Sequence, residues 1–429
     1  MATRNPPNHN PPGRRGAVAI QFVVVFASVI LVLSGFAVDL GRLYLIRAEL
    51  KTAADAMALA AAQQLIGTAQ ATDNASRAGQ QGIAISANLG NKYDFAGLVI
   101  GQSTGLLTSV VQDAEFFAAP SDFEDGSPTG LTVTGAEARY VRISLQADAP
   151  LIFFALLPQG QQRRTPVAAE AIAGTSAPLC VACGLVPFAI PAVDAGDPVH
   201  FGYVPATRYT FGYQCTGAPP PLLAGTTARV AYLILDRFDP EASPFSEETA
   251  QLYRMGLAGL PASASEARSC FRINAAENLW ATAAPGTCAG NVNARVRAAF
   301  CGLAARMDTT ITPPCENIAE IGTLAATQPV DTDLTEIEDY SAYVGNRRRI
   351  LTVPVVDALN PAGGMVVLGF RQFLLQPLPG TAALNPADVN ARFAATYLGS
   401  VAPLSQGRFF AEGCPTDLTA GPGKVVLFR

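Results

Sequence analysis

The fold of this chain is decided by residues 17–38, which read AVAIQFVVVFASVILVLSGFAV. The stretch contains no charged residue, and its only polar side chains are those of Gln21, Ser28 and Ser34. About 20 consecutive apolar residues are enough for a helix to cross a bilayer. The stretch therefore predicts a membrane-spanning helix near the N-terminus.

Charged residues on the two sides of this span predict its orientation. Arg4, Arg14 and Arg15 precede it without an acidic residue, and Asp39 follows it directly. Because Lys and Arg are retained on the cytoplasmic side, we expect a cytoplasmic N-terminus, with everything after Asp39 outside the cytoplasm. Residues 1–16, rich in Pro and Asn, are expected to be a disordered cytoplasmic tail.

A cleaved secretory signal is the alternative to a retained anchor. Such signals have an apolar core of about 7–15 residues, followed by a small-x-small cleavage site. Gly35-Phe36-Ala37 is a poor match to that site, and the apolar run is longer than such a core. We therefore expect the anchor to be retained.

Beyond the span, apolar residues recur at spacings of three and four. They are Leu43, Ile46, Leu50, Ala53, Ala54, Met57, Ala58, Ala61 and Leu65. This spacing indicates one apolar stripe on a helix, on which Lys51 and Asp55 can form an i,i+4 ion pair. The span and the stripe predict one transmembrane and stalk helix over residues 17–66, about 75 Å long. Ser34-Gly35 is the position at which a kink would be looked for.

The sequence after the stalk helix predicts an α+β fold. Residues 67–175 combine a helix at 74–89 with period-two strands, of which those at 140–145 and 167–173 are the clearest, so we expect a small α+β domain. Weaker strand signals are at 98–100, 105–111 and 130–135. Residues 176–429 are rich in Cys and Pro and predict a disulfide-stapled, sheet-rich extracytoplasmic domain. Its predicted strands are at 185–190, 229–235, 350–356, 365–375 and 424–428, and its predicted helices are at 244–256 and 292–307.

Residues 150–158 read PLIFFALLP, a dense apolar run that is too short to cross a bilayer. We favour burial of this run against the stalk helix over a loop that dips into the membrane.

The cysteines predict an oxidising compartment. All eight follow the span, and their even number favours disulfides; they are Cys180, Cys183, Cys215, Cys270, Cys288, Cys301, Cys315 and Cys414. The one CxxC, at 180–183, has neither a thioredoxin-like context nor a second CxxC for zinc. We expect it to form a disulfide, within the pair or to a cysteine such as Cys215, and we assign no connectivity.

Residue types that carry catalysis are scarce. His200 is the only histidine outside the N-terminal tail, and no recognisable nucleophile motif surrounds it. We interpret it as structural or solvated, and we interpret Trp280 as a core residue. We therefore predict no catalytic residue, no cofactor and no enzymatic activity.

Charged clusters also have simple interpretations. The net charge of −5 argues against a nucleic-acid partner. An acidic cluster lacks the glycine turn of a calcium loop, so we interpret it as a solvated loop and helix start; it comprises Asp331, Asp333, Glu336, Glu338 and Asp339. The three arginines at 347–349 are interpreted as surface charge or a partner contact.

Residues 14–62 resemble the N-terminal module of TadE/TadG-like proteins of bacterial tight-adherence (Flp-type) pilus systems, most closely the TadG branch. The motifs that carry the resemblance are RRG at 14–16, AVDLGRLY at 37–44 and LKTAADAMALAAA at 50–62. A weaker likeness, RILTVPVVDALNPAGGMVVLGFRQF at 349–373, suggests a strand–turn–strand unit of such proteins.

The resemblance implies a single-pass membrane-anchored structural or assembly component, of a minor pilin-like kind, with a pilin-like α+β domain at 67–175. Its partners would be the lipid bilayer and other pilus or pilin-like proteins. It would lie in the bacterial inner membrane, with the bulk of the chain periplasmic or at the cell surface. Processed pilins carry a Gly before the span and a Glu five residues into it. Gly16 fits, but Gln21 replaces the Glu, so we expect no cleavage.

At the outer end of the span, we expect Asp39 and Arg42 to pair with each other or to set register with a neighbouring helix. The von Willebrand A metal motif that several TadG relatives carry is absent from the sequence. Two other functions stay open: a membrane-anchored surface adhesin that binds a ligand through residues 176–429, and an anchored extracytoplasmic hydrolase.

Overall fold

The structure is a computed structural model of the chain. It describes residues 14–86, 110–124, 133–153, 164–214, 219–236, 256–259, 270–279, 294–308, 329–360, 363–381, 383–404, 407–408 and 421–428.

One long helix opens the structure. Helix α1 comprises Arg14–Ala62, which confirms the prediction of a single helix and ends it four residues earlier than expected. It remains α-helical through Ser34 and Gly35. The predicted apolar stripe is buried from its second member onward, whereas Leu43 is only partly buried; the buried members are Ile46, Leu50, Ala53, Ala54, Met57, Ala58, Ala61 and Leu65.

The region after α1 alternates helices and strands, as predicted. Its elements are α2 (Ala71–Ser86), β1 (Val110–Phe117), α3 (Ser121–Glu124), β2 (Tyr140–Pro150) and β3 (Arg164–Thr175). The predicted helix at 74–89 and the strands at 140–145 and 167–173 are therefore confirmed. Residues 133–135 form a loop and turn instead of the predicted strand. The predicted strand at 98–100 lies outside the described residues.

The remainder of the chain is rich in strands. Its elements are β4 (Val181–Ala182), β5 (Phe188–Pro191), β6 (Arg208–Tyr213), β7 (Ala228–Ile234), β8 (Phe271–Arg272), β9 (Ala276–Glu277), α4 (Ala294–Ala304), a 3₁₀ helix (Tyr340–Ala342), β10 (Ile350–Val356), β11 (Met365–Gln376), β12 (Phe393–Gly399), β13 (Gly407–Arg408) and β14 (Val425–Phe428). All five predicted strands of this region and the helix at 292–307 have counterparts here. Most of the predicted helix at 244–256 lies outside the described residues.

The strands form three sheets, and one of them closes on itself. The orders are β1-β2-β3-β14, β13-β4-β8 and β10-β5-β7-β6-β12-β11-β9. In the last sheet β10 also pairs with β11 along its whole length, so six strands form a closed barrel, with β9 attached to the start of β11. The pairs β10–β5 and β6–β7 are parallel, and the other pairs in the ring are antiparallel.

Aromatic side chains fill the barrel core. Phe211 of β6 stacks on Phe393 of β12, with ring centroids 4.7 Å apart, and meets Phe373 of β11 edge-on at 5.0 Å. Phe188 of β5 packs against Phe393 at 5.9 Å. The interior of a small barrel is filled by such inward-facing residues, and each aromatic pair contributes about 0.5–1.5 kcal/mol beyond its buried area.

The chain divides into two compact units. The first comprises residues 1–57, 80–114 and 142–171, and the second comprises residues 58–79, 115–141 and 172–429. The second unit contains the closed barrel, together with the last turn of α1 and the residues that follow it. There Ile66 packs with Leu374 and Leu398, and the Tyr340 hydroxyl donates a hydrogen bond to the Ile66 carbonyl at 2.9 Å.

Disulfides are present in the second unit, as the cysteine count predicted. Cys183 is bonded to Cys270, 87 residues further along the chain. Of the two alternatives left open for the CxxC, the internal disulfide is therefore excluded, and Cys183 forms its disulfide with a distant cysteine, although not with Cys215. Cys180 and Cys301 are also disulfide-bonded. The other four cysteines lie outside the described residues, as does Trp280.

The acidic cluster and the arginine run are only partly solvated. Glu336, Glu338 and Asp339 are exposed, and Asp339 caps the 3₁₀ helix, as expected of a solvated loop and helix start.

Three members of the two clusters are buried instead. Arg349 is 0% exposed, Asp331 1% and Asp333 6%, and the Arg349 guanidinium lies 3.9 Å from a carboxylate oxygen of each aspartate. The Asp331 carboxylate also accepts from the Tyr343 hydroxyl and from the backbone N–H of Arg349. For these three residues the interpretation as solvated surface charge is wrong, because an arginine and carboxylates of opposite charge can be buried together.

Candidate membrane anchor and the Asp39 junction

The first half of α1 exposes apolar side chains all round. Phe22 is 74% exposed and Phe36 is 52% exposed. The most apolar part of the helix is long enough to cross a membrane, and only 11% of it is buried. A helix satisfies its backbone hydrogen bonds internally, so this half is suited to lipid by length and composition.

One face of the helix becomes buried along the apolar stripe. Ile46 and Leu50 are each 0% exposed, whereas Tyr44 is 72% exposed, and Arg47 and Ala48 are also exposed. The helix therefore passes from a segment that is exposed almost all round to a segment of which one face is covered by protein.

Asp39 joins the helix to the segment that follows β2. Its carboxylate oxygens accept hydrogen bonds from the backbone N–H groups of Ile152, at 3.0 Å, and Phe153, at 2.9 Å. Asp39 itself is only 4% exposed. Because β2 ends at Pro150, these two N–H groups lie beyond the strand, and a charged acceptor gives strong hydrogen bonds.

Gly35, one turn before Asp39, makes room for the same segment. A Cβ placed on Gly35 would lie 2.8 Å from the Phe153 Cβ and 2.9 Å from two of its ring carbons. The ring therefore occupies the space that any other side chain at position 35 would need. By contrast, a Cβ on Gly41 would meet nothing within 4 Å.

The expectation that residues 150–158 are buried against the helix needs correction where the structure describes them. The segment contacts α1 at two positions, as expected. Yet Ile152 remains 49% exposed and Phe153 38% exposed, because the helix covers only part of each side chain. Residues 154–158 lie outside the described residues.

The other predicted residues of α1 have different surroundings. Gln21 is exposed. The Nη1 of Arg42 is buried and has no hydrogen-bond partner in the described part of the chain. The predicted pair of Lys51 and Asp55 is confirmed at 2.9 Å, and the Lys51 ammonium also donates to the Glu170 carbonyl. A pair this exposed contributes at most about 0.5 kcal/mol.

His200 is a structural residue. Its Nδ1 lies 3.0 Å from the Tyr397 hydroxyl, and the two rings meet edge-on at 5.7 Å. The backbone N–H of His200 donates to Asp197. Among the described residues no group of three or more His, Cys, Asp or Glu side chains is placed to hold a metal ion.

The comparison with known families bears on the same helix. Residues 16–64 match the family model Tad, which describes Flp pilus-assembly TadE/G-like proteins. The N-terminal segment is TadE/G-like. The matched residues coincide with α1 and the turn after it, and they do not distinguish the TadG branch. No curated protein and no solved structure showed significant similarity to the chain.

Together, the TadE/G-like segment and the candidate span support a pilus-related membrane component. Sequence reasoning found the span, Asp39 and Arg42, but it missed the partner of Asp39. The signal that could have found it was weak: an apolar run bounded by prolines directly after a clear strand.

Proposed function

We propose that this protein is a single-pass, inner-membrane-anchored structural or assembly component of a bacterial tight-adherence pilus system. It would be a minor pilin-like protein that acts through helix packing and protein–protein contacts. The observation that carries the proposal is that the TadE/G-like segment, residues 16–64, coincides with a helix whose first half is exposed and apolar.

Two separate features support a cytoplasmic N-terminus and a periplasmic bulk. Positive charge precedes the helix, in Arg14 and Arg15, and positive flanks stay inside. The Cys183–Cys270 disulfide belongs to the second unit, and disulfides persist in oxidising compartments. A phosphatase reporter that is active only in the periplasm, fused after Arg429, should be active, and the same reporter at the N-terminus should be inactive.

The anchor is proposed to be retained, because Gln21 replaces the acidic residue expected of a processed pilin. The intact mass of the protein from the membrane fraction should match the chain without cleavage after Gly16. A mass equal to that of a chain starting at Ala17 would show pilin-like processing. A mass equal to that of a chain starting at Val38 would show cleavage of a secretory signal.

The decisive experiment separates anchoring from folding. Deletion of the gene should abolish piliation, and the full chain should restore it. A secreted form, in which a cleavable signal replaces residues 1–38, should not restore pili even at an equal periplasmic level. If the secreted form restores piliation, the helix is dispensable and the proposal is wrong.

The exposed half of α1 is proposed to lie beside the helices of pilus partners. A photo-crosslinking amino acid in place of Phe36, which is 52% exposed, should form adducts with co-expressed pilus proteins. The same amino acid in place of Ala54, which is 0% exposed, is the matched control and should form none. Equal adducts at both positions would argue against this packing surface.

Arg42 is proposed to contact a partner helix. Its Nη1 is buried without an acceptor in the described part of the chain, and a buried unpaired donor is costly. A carboxylate or carbonyl on a neighbouring helix would satisfy it. Arg42→Gln should therefore weaken co-purification with pilus partners, and unchanged association would remove this role.

A further inference from the structure

The second unit contains a cavity of about 320 Å³ next to the barrel. It is lined by Gln63 and Gln64 after α1, by Arg306 after α4 and by residues 346–348 before β10. Three of the lining side chains are guanidinium groups, and none of the described lining residues is an aspartate or a glutamate. The cavity wall therefore carries positive charge.

Two of the three arginines are held in place by backbone carbonyls. Arg306 donates from Nε to the Leu257 carbonyl at 2.6 Å and from Nη1 to the Arg348 carbonyl at 2.9 Å. Arg347 donates to the Gln63 carbonyl at 2.6 Å and also to the Pro403 carbonyl. Carbonyl acceptors fix the orientation of a guanidinium but leave its full charge without a counter-ion.

The third arginine has no such partner. The Arg348 Nε is buried and makes no hydrogen bond in the described part of the chain. Gly259, which has a φ of +74°, brings the two groups together: its Cβ position would lie 2.8 Å from Arg306 Nη2 and 3.1 Å from Arg348 Nη1. Two like charges therefore face the same small volume.

The nearby carboxylates lie outside the cavity lining. They are those of Asp331, whose charge acts on Arg306 and Arg348, and Asp333, and neither residue lines the cavity. Both aspartates are already engaged with Arg349. Burial lowers the pKa of Arg306, and the charge of Arg348 lowers it further, although Asp331 opposes the change.

We propose that this cavity is a binding site for a tetrahedral oxyanion, of the phosphate or sulfate class. Its described lining has three guanidinium groups and no carboxylate, and guanidinium groups bind such oxygens with charge-assisted hydrogen bonds. Arg348, whose Nε has no hydrogen-bond partner in the described part of the chain, would be the principal contact, and Arg306, on the same side of Gly259, would supply a second charge. This ligand goes beyond the pilus role and does not depend on it.

The test uses the full chain in detergent and titrates it with inorganic phosphate and with sulfate by calorimetry, at an ionic strength held constant with chloride. We expect saturable binding, weakened at least ten-fold by Arg348→Gln. The Arg348 Nε makes no hydrogen bond within the described residues, so this variant loses no bond from that atom, and an unchanged Tm would show that it folds. Arg229→Gln removes a positive charge from an exposed position on β7 that does not line the cavity, and it should bind within two-fold of the wild type.

Absence of saturable binding by the wild type would overturn the proposal, as would unchanged binding by Arg348→Gln. An equal loss in Arg348→Gln and Arg229→Gln would also overturn it, because that outcome would show general charge attraction instead of a site.

Discussion

Replacement of Asp39 by leucine would remove the acceptor for two backbone N–H groups at once, those of Ile152 and Phe153. A buried donor left without a partner costs about 1–3 kcal/mol. Both residues are partly exposed, at 49% and 38%, so water can reach their neighbourhood and the lower end of that range applies. We expect the contact to weaken by about 2 kcal/mol in total.

The assay is hydrogen–deuterium exchange of the full chain in lipid nanodiscs, measured by mass spectrometry of peptides that cover residues 150–153. A loss of 2 kcal/mol corresponds to amide exchange about 30-fold faster at these positions. Asp39→Asn keeps the shape and one acceptor oxygen, so its exchange should be intermediate. Leu40→Ala changes the adjacent exposed residue and should leave exchange at 152–153 unaltered.

Unchanged exchange in Asp39→Leu would refute the reasoning, because it would show that the carboxylate does not hold the segment. The same variant separates two roles of Asp39 in partner binding. If Asp39→Leu and Gly35→Ala both weaken co-purification with pilus partners, the held segment is the cause. If only Asp39→Leu does so, the carboxylate contacts the partner directly.

Three further predictions follow from the packing, the disulfide and the buried charges. Gly35→Ala should speed exchange at residues 152–153, since its methyl group would overlap Phe153 at a cost of about 1–3 kcal/mol, whereas Gly41→Ala, with open space around it, should not. Loss of the Cys183–Cys270 bond in a variant with both cysteines replaced by serine should destabilise the second unit by about 2–4 kcal/mol, measured as a lower Tm. Reducing agent should decrease the Tm of this variant less than it decreases the Tm of the wild type. Burial opposes the ionisation of Asp333, but hydrogen bonds from Thr335 and Val344 and the charge of Arg349 bring its pKa below the usual value; this stability is present above about pH 4 and is lost as the pH falls through the lowered pKa. The Tm should therefore fall in acid, and Asp333→Asn should have a lower Tm at pH 7 with a flatter acid profile; an unchanged acid profile would contradict this assignment.

The parts of the fold that depend on neighbouring residues could be predicted from the sequence. The apolar run at 17–38 and the three-four spacing after it predicted α1 within a few residues at each end. Val296 and Phe300 of α4 share a face and are buried, at 0% and 2% exposed, as the spacing indicated. Helical periodicity is a local property and is therefore readable from one sequence.

The parts that depend on distant residues could not be predicted. Asp39 meets residues that lie 113 and 114 positions away, and neither helix nor strand periodicity carries that information. Cys183 is bonded to Cys270, 87 residues away, and the sequence left its partner open because cysteine spacing does not determine connectivity. The barrel likewise depends on the parallel pairing of β10 with β5, which lie about 165 positions apart in the sequence. Neither strand contains a local pattern that identifies its partner.

The burial of the arginine run was missed for a different reason. Arg349 looks like surface charge in isolation, since arginine is rarely buried without a partner. Its partners, Asp331 and Asp333, were visible in the sequence as a separate acidic cluster. Either cluster alone favours solvent, and only their pairing makes burial tolerable.

The closed ring of strands limits how this protein can join others. Within the described residues, each strand of the ring has a hydrogen-bonded neighbour on both sides, so none of the six is an edge strand of the kind to which another chain could add. Some surface fibres grow when one subunit lends a strand to the next. The barrel is unsuited to strand exchange of that kind, so contacts made through it must depend on the shape and charge of its side chains.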